Sequence, residues 1–340
     1  MQFAQLGTTG VFVSRVSLGA MSFGGRGSQL WGAVGGLDVK ETDALVGAAL
    51  DRGVNLIDTA DVYGDGESEE LLGQVLGARR RDVVLATKTT ARVGPGPNDS
   101  GQSRLHVMRS LEDSLRRLRT DHVDLYQIHN YDPYTPFEES LAALDDAVRQ
   151  GKVRYAGASN LTAWQTMKAL GVSGRRGWAR FASLQSYYSL AGRDIEREIL
   201  PLVRDQGLGL LVWSPLAAGL LSGKFGREGT ADGEARRARF AFPPVDLERA
   251  YDVIDALRAV AARHGTTVAR VALAWVLAQP GVTSAILGAR RPEQLEENLA
   301  AVDLELTEED LAELDGVSAL PAEYPAWIQD GGAYRLPQTA

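Results

Sequence analysis

Short apolar runs alternate along nearly the whole chain with stretches in which apolar residues recur every three or four positions. Eight runs read as strands: residues 16–18, 55–58, 83–88, 123–129, 153–159, 181–185, 209–213 and 284–287. Most are continuously apolar, which suits parallel strands covered on both faces. Between them lie amphipathic helices. Phe137, Leu141, Leu144 and Val148 form one stripe, and Leu105, Met108, Leu111, Leu115 and Leu118 form another. Thr135-Pro136-Phe137-Glu138 reads as a helix start, with Thr135 as cap, proline at the first helical position and a capping-box glutamate.

Strand–helix alternation predicts a parallel sheet, either closed into a barrel or open and doubly wound. An open dinucleotide-binding sheet would carry G-x-G-x-x-G after its first strand. Here that place holds Gly19-Ala20-Met21-Ser22-Phe23-Gly24-Gly25, and Gly207-Leu208-Gly209 lacks the third glycine. The reading is therefore an α/β, (β/α)8 TIM barrel in one domain, residues 1–340, with an N-terminal β-hairpin. Residues 89–101 and 214–245 interrupt the alternation after a strand, on the face where barrels build sites. Residues 319–340, with Tyr324, Trp327 and Tyr334, form a tail that is expected to fold over that face. Arg79-Arg80-Arg81 reads as a solvated cluster at a helix end.

Composition narrows the function classes. A net charge of −8 gives no electrostatic attraction for nucleic acid or an anionic membrane, so small-molecule partners are expected. The chain has no cysteine, which excludes disulfides, thiolate catalysis and cysteine-held metals. No apolar stretch reaches membrane-spanning length, and the amino terminus lacks a basic segment followed by an apolar run. The expected location is the cytoplasm. Nothing in the sequence speaks to oligomeric state.

Three ionisable residues close consecutive strands: Asp58, Lys88 and His129. Neighbouring strand ends converge on one barrel mouth, and Tyr63 lies on the loop leaving the first of them. Singly, such residues read as a cap, a hydrogen-bonding group or packing. Together they make an acid: a phenol donates a proton more readily beside a cation, and a buried lysine stays charged beside a carboxylate. His129 is placed to orient or polarise a carbonyl.

With these residues in view, the chain from Leu6 to about Leu299 resembles the aldo-keto reductase family. Asn55-Leu56-Ile57-Asp58-Thr59-Ala60-Asp61-Val62-Tyr63-Gly64, followed by Ser68-Glu69-Glu70, is similar to its signature. Lys88 and Tyr126-Gln127-Ile128-His129 match the segments that supply its lysine and histidine. The resemblance implies a catalytic tetrad of Asp58, Tyr63, Lys88 and His129, reducing an aldehyde or ketone with NADPH and holding no metal. Ser159, Asn160 and Gln185 resemble the residues that hold the nicotinamide carboxamide. Trp213, Ser214, Pro215 and Leu216, with Gly219, Leu221, Gly223 and Lys224, resemble the loop over nicotinamide and pyrophosphate. Gly288, Arg290, Gln294, Glu297 and Asn298 resemble the grip on the adenosine end, where Pro292 is expected to open a helix. Two positions depart from the pattern: Trp213 stands where many members have tyrosine, and Gln294 where many have an arginine for the 2′-phosphate. Arg290 is the neighbouring substitute. Two other readings remain: an NADPH-binding regulatory subunit or redox sensor, and an aldolase using Lys88 as a Schiff-base nucleophile.

Overall fold

The computed structural model describes residues 1–230, 237 and 241–329. Its chain begins with β1 (Phe3–Gln5) and β2 (Phe12–Ser14), paired antiparallel. Eight parallel strands follow: β3 (Val16–Gly19), β4 (Leu56–Asp58), β5 (Val84–Thr89), β6 (Val123–Ile128), β7 (Val153–Ser159), β8 (Phe181–Tyr187), β9 (Gly209–Trp213) and, after a short β10–β11 hairpin (Phe225–Gly226 and Gly229–Thr230), β12 (Val282–Leu287). They close in the order β12-β3-β4-β5-β6-β7-β8-β9. This is the expected (β/α)8 barrel, with each anticipated strand in place to within two residues at its ends.

Side-chain alternation sorts every strand into an inner and an outer face. Leu56, Ala86, Leu125, Leu211 and Ile286 meet inside the barrel, where Leu6 and Val13 from the hairpin end plug the bottom. Gly7 permits that plug, because a Cβ there would lie 2.7 Å from the carbonyl oxygens of Ala182 and Gly207. Outward neighbours such as Ile57, Leu85, Tyr126 and Leu184 join the larger core beneath the helices. Two residues beyond Leu56, Ala86 and Leu125 the same faces carry Asp58, Lys88 and Gln127, and on β8 Gln185 stands two residues beyond the buried Ser183. Thus the strand period sets polar groups at the barrel mouth, beyond the inner apolar cluster.

Three local expectations need correction. The helix Phe137–Arg149 starts after Pro136, which stays extended at ψ 140°. Thr135 is not its cap, because its hydroxyl donates to Asp132 Oδ2 at 2.7 Å, where a carboxylate is the stronger acceptor. In the helix Arg104–Leu118, Leu105 is 51% exposed and Val107 takes the core position, because the buried face of the first turn carries His106 and Val107. Arg80 is no solvated charge: it donates to the carbonyls of Val83 and His122 and pairs with Asp124 at 2.8 Å. Among the described residues, no helix is long and apolar enough to cross a membrane.

Candidate active site

Asp58 and Lys88 end up side by side because β4 and β5 are paired neighbours whose inner faces carry them. Lys88 is fully buried. Its Nζ donates to Asp58 Oδ1 at 2.5 Å, to the Thr59 carbonyl at 2.8 Å and to Tyr63 Oη at 3.3 Å. Burial works against its charge, but Asp58 and Tyr63 together outweigh burial and raise the lysine above its ordinary value. The ammonium also lies 4.9 Å from the centre of the Tyr63 ring.

Tyr63 reaches the lysine from a tight turn after β4, where Gly64 and Asp65 take positive φ. The ring is steadied by two edge-to-face neighbours, Trp31 at 5.7 Å and His129 at 5.8 Å between centroids. Trp31 is itself held by a bond from its Nε1 to Asp65 Oδ1 at 3.1 Å. His129 follows β6, anchored by its N–H to the Thr89 carbonyl at 2.9 Å. Its imidazole is pushed down to about 3 by burial first and by the Lys88 charge second. It is therefore neutral at physiological pH, and its buried Nδ1 has no hydrogen-bond partner among the described residues.

Sequence reasoning missed Gln127. Its Nε2 donates to Asp58 Oδ2 at 3.0 Å, beside the bond from Gln185 Nε2 at 2.9 Å. Asp58 thus accepts from Lys88 and from two amides, so both of its buried carboxylate oxygens are hydrogen-bonded. The signal was available, since Gln127 stands two positions before His129 and two after the inner Leu125. Gly157 makes room for it, as a Cβ there would press on the Gln127 stem at 3.0 Å.

The expected cofactor residues fall around the same mouth in two groups. Ser159 ends β7 with its Oγ buried and unpartnered among the described residues, a polar atom that fits a carboxamide. Asn160, at φ 56°, donates to the His129 carbonyl at 3.0 Å and accepts from Trp213 Nε1 at 3.0 Å. Trp213 lies against Tyr187 and stacks on Phe242, with rings 5.7 Å apart and 7° from parallel. In the following loop Ser214, Ala217, Ala218, Gly219 and Gly223 all take positive φ. Pro215 and Leu221 bury their side chains in that loop.

Farther along the rim, the helix Pro292–Leu299 does begin with proline. Gln294 accepts from the Arg290 N–H at 3.2 Å, and the Arg290 guanidinium donates to the carbonyls of Ala33 and Val34 at 3.2 and 3.3 Å. A guanidinium carries five N–H donors, so these contacts leave capacity for an anion. Asn298 is buried, whereas Gly288 and Glu297 are exposed. Lys224 is exposed at the start of the β10–β11 hairpin.

The family model for aldo/keto reductases matches residues 15–319. The chain belongs to the aldo/keto reductase family. Its relatives include the uncharacterized oxidoreductase YrpG of Bacillus subtilis, 39% identical over 93% of this chain and 96% of the relative. A probable voltage-gated potassium channel subunit beta of Arabidopsis thaliana is 37% identical over 89% and 92%. Versiconal hemiacetal acetate reductase of Aspergillus parasiticus is 34% identical over 93% and 96%. Its relatives therefore include proteins named as an oxidoreductase, a reductase and a probable channel subunit.

Proposed function

We propose that the protein reduces an aldehyde or ketone to an alcohol with NADPH, and that Tyr63 gives the proton. One observation carries the reading: a lysine held charged by Asp58 stands 3.3 Å from the phenol oxygen. Bound NADPH would supply a hydride to the carbonyl carbon, and the carbonyl oxygen would take the Tyr63 proton. As that proton leaves, Lys88 stabilises the negative charge on the phenol oxygen. Asp58 keeps Lys88 protonated, and Gln127 and Gln185 hold the Asp58 carboxylate in place beside it. A neutral His129 donates one N–H to the carbonyl oxygen and does not compete as the acid. Ser159, Asn160 and Gln185 would meet the carboxamide, the loop from Trp213 to Lys224 would meet nicotinamide and pyrophosphate, and Arg290 would meet the 2′-phosphate. The small-molecule carbonyl would enter from the open face of the barrel.

A panel of aldehydes and ketones, followed by loss of NADPH absorbance, tests the reading. Turnover of at least one compound is expected, and NADPH binding with no turnover of any would overturn it. The second outcome would favour a regulatory role, a reading that the channel-subunit relative keeps open. An aldolase role for Lys88 is disfavoured by its raised pKa, because a Schiff-base nucleophile needs the free amine. Borohydride with a carbonyl compound should therefore leave Lys88 unmodified.

A further inference from the structure

Behind Lys88, against the outer side of the barrel wall, lies a buried polar cluster that takes no part in the chemistry above. Asp61 stands two residues before Tyr63 on the same loop and is 2% exposed. Its Oδ2 accepts from Ser110 Oγ at 2.7 Å, and its N–H donates to the Lys88 carbonyl at 3.2 Å. Its Oδ1 has no partner among the described residues. Three titratable groups face it: Glu69 from the helix Glu67–Leu76, Arg117 from the helix Arg104–Leu118, and Tyr126 from β6. Glu69 is also buried and accepts from Thr87 Oγ1 at 2.5 Å and from Arg117 Nε at 2.8 Å. Arg117 is thus hydrogen-bonded to Glu69, and among the described residues Asp61 forms no ion pair of its own.

A carboxyl in this place weakens the fold. Burial pushes Asp61 up to about 7; Ser110 and Arg117 oppose the shift, while the Glu69 charge adds to it. An acid whose folded pKa is raised penalises the native state increasingly as pH climbs from its unfolded value, about 3.9, to its folded value, and keeps the penalty above it. A carboxyl buried at this cost beside a reactive group is a candidate for a functional role.

We propose that Asp61 is a positioning residue for Tyr63. Through Ser110 it fastens the loop carrying the proton donor to the helix Arg104–Leu118, while its N–H ties the same loop to the strand carrying Lys88. The two ties set the phenol against the ammonium. The inference rests on Tyr63 being the proton donor.

The test compares Ser110→Ala, Asp61→Ala and Asp61→Asn in the full-length protein, with Tyr63→Phe alongside. Ser110→Ala and Asp61→Ala should lower turnover roughly tenfold, the scale of a small misplacement. NADPH affinity should stay within about twofold, because the ties do not touch the cofactor residues. The solvent isotope effect on turnover should rise in both, since a loosened donor makes proton delivery slower. Asp61→Asn, which keeps an acceptor for Ser110, should restore turnover and should melt higher than the parent at pH 8. Retained turnover in Ser110→Ala, or lost turnover with no rise in the isotope effect, overturns the proposal, and Ser110→Ala decides alone if Asp61→Ala does not fold. Full activity in Tyr63→Phe would instead overturn the reading of Tyr63 itself.

Discussion

Replacing Tyr63 by phenylalanine removes one hydroxyl from a ring held by Trp31 and His129, so the turn should keep its shape. Turnover should fall by about 10² or more, as loss of a positioned acid does, while NADPH affinity changes only a few-fold. Single-turnover kinetics with a good carbonyl would measure both, and near-parental turnover would transfer the acid role elsewhere. Lys88→Met should fail similarly, since the phenol oxygen loses its cation. Asp58→Asn should slow turnover less than Tyr63→Phe, but it sets an amide N–H among three donors and should lower stability by about 1–3 kcal/mol in denaturant unfolding. His129, pushed down to about 3, should show no charge change between about pH 5 and 8 when its ring is followed by NMR. Asp58, Lys88 and His129 were legible in the sequence because a strand end shows which residues reach a barrel mouth. Gln127 was legible by the same strand period and was passed over because its partner Asp58 lies 69 positions away. Asp61 was illegible because its meaning depends on Ser110, 49 positions away.

At the scale of single elements, helix ends separate what local sequence can and cannot announce. The helix Glu308–Ser318 has a capping box between Thr307 and Asp310, and Asp310 also binds Arg263 at 2.8 Å and His264 at 2.7 Å. Burial alone would raise this carboxyl, yet its hydrogen bonds hold it well below the usual carboxylate range. Its stabilising share is present above the unfolded pKa and is lost as pH falls through the folded one. Asp310→Asn should therefore cost about 1–2 kcal/mol near neutrality, with the gap to the parent narrowing in acid melts. Thr135 shows the converse: its cap signal was sound locally, but Asp132 offered the hydroxyl a stronger acceptor. The helix opened by Pro292 was readable from its proline, whereas the Arg290 bonds to Ala33 and Val34 join segments far apart in the chain. Arg290→Ala should weaken NADPH binding roughly tenfold and leave NADH nearly unchanged, as loss of one charge-assisted contact predicts. Equal losses measured for the two cofactors would mean that Arg290 serves only those carbonyls.

For the molecule as a whole, eight apolar runs and the absence of a dinucleotide fingerprint were enough to anticipate a closed barrel. The tail was less legible, because its aromatic residues have no period that says what they cover. Tyr324 and Trp327 are 75% and 57% exposed, and Arg197 binds the Pro321 carbonyl at 3.2 Å and Glu323 at 3.0 Å. This places the described part of the tail beside the loops after β7 and β8, and Tyr334 lies outside the described residues. Truncation after Ser318 should leave a folded protein with intact NADPH affinity and altered relative rates across the carbonyl panel; insolubility would mean that the tail covers a core. The way the barrel closes has a consequence for synthesis. β12 fills the gap between β3 and β9, pairing Ala285 with Val16 near the start of the chain. Until residue 282 has left the ribosome, the nascent sheet carries two open parallel edges, and a chain stalled there would present both to its neighbours as templates for aggregation.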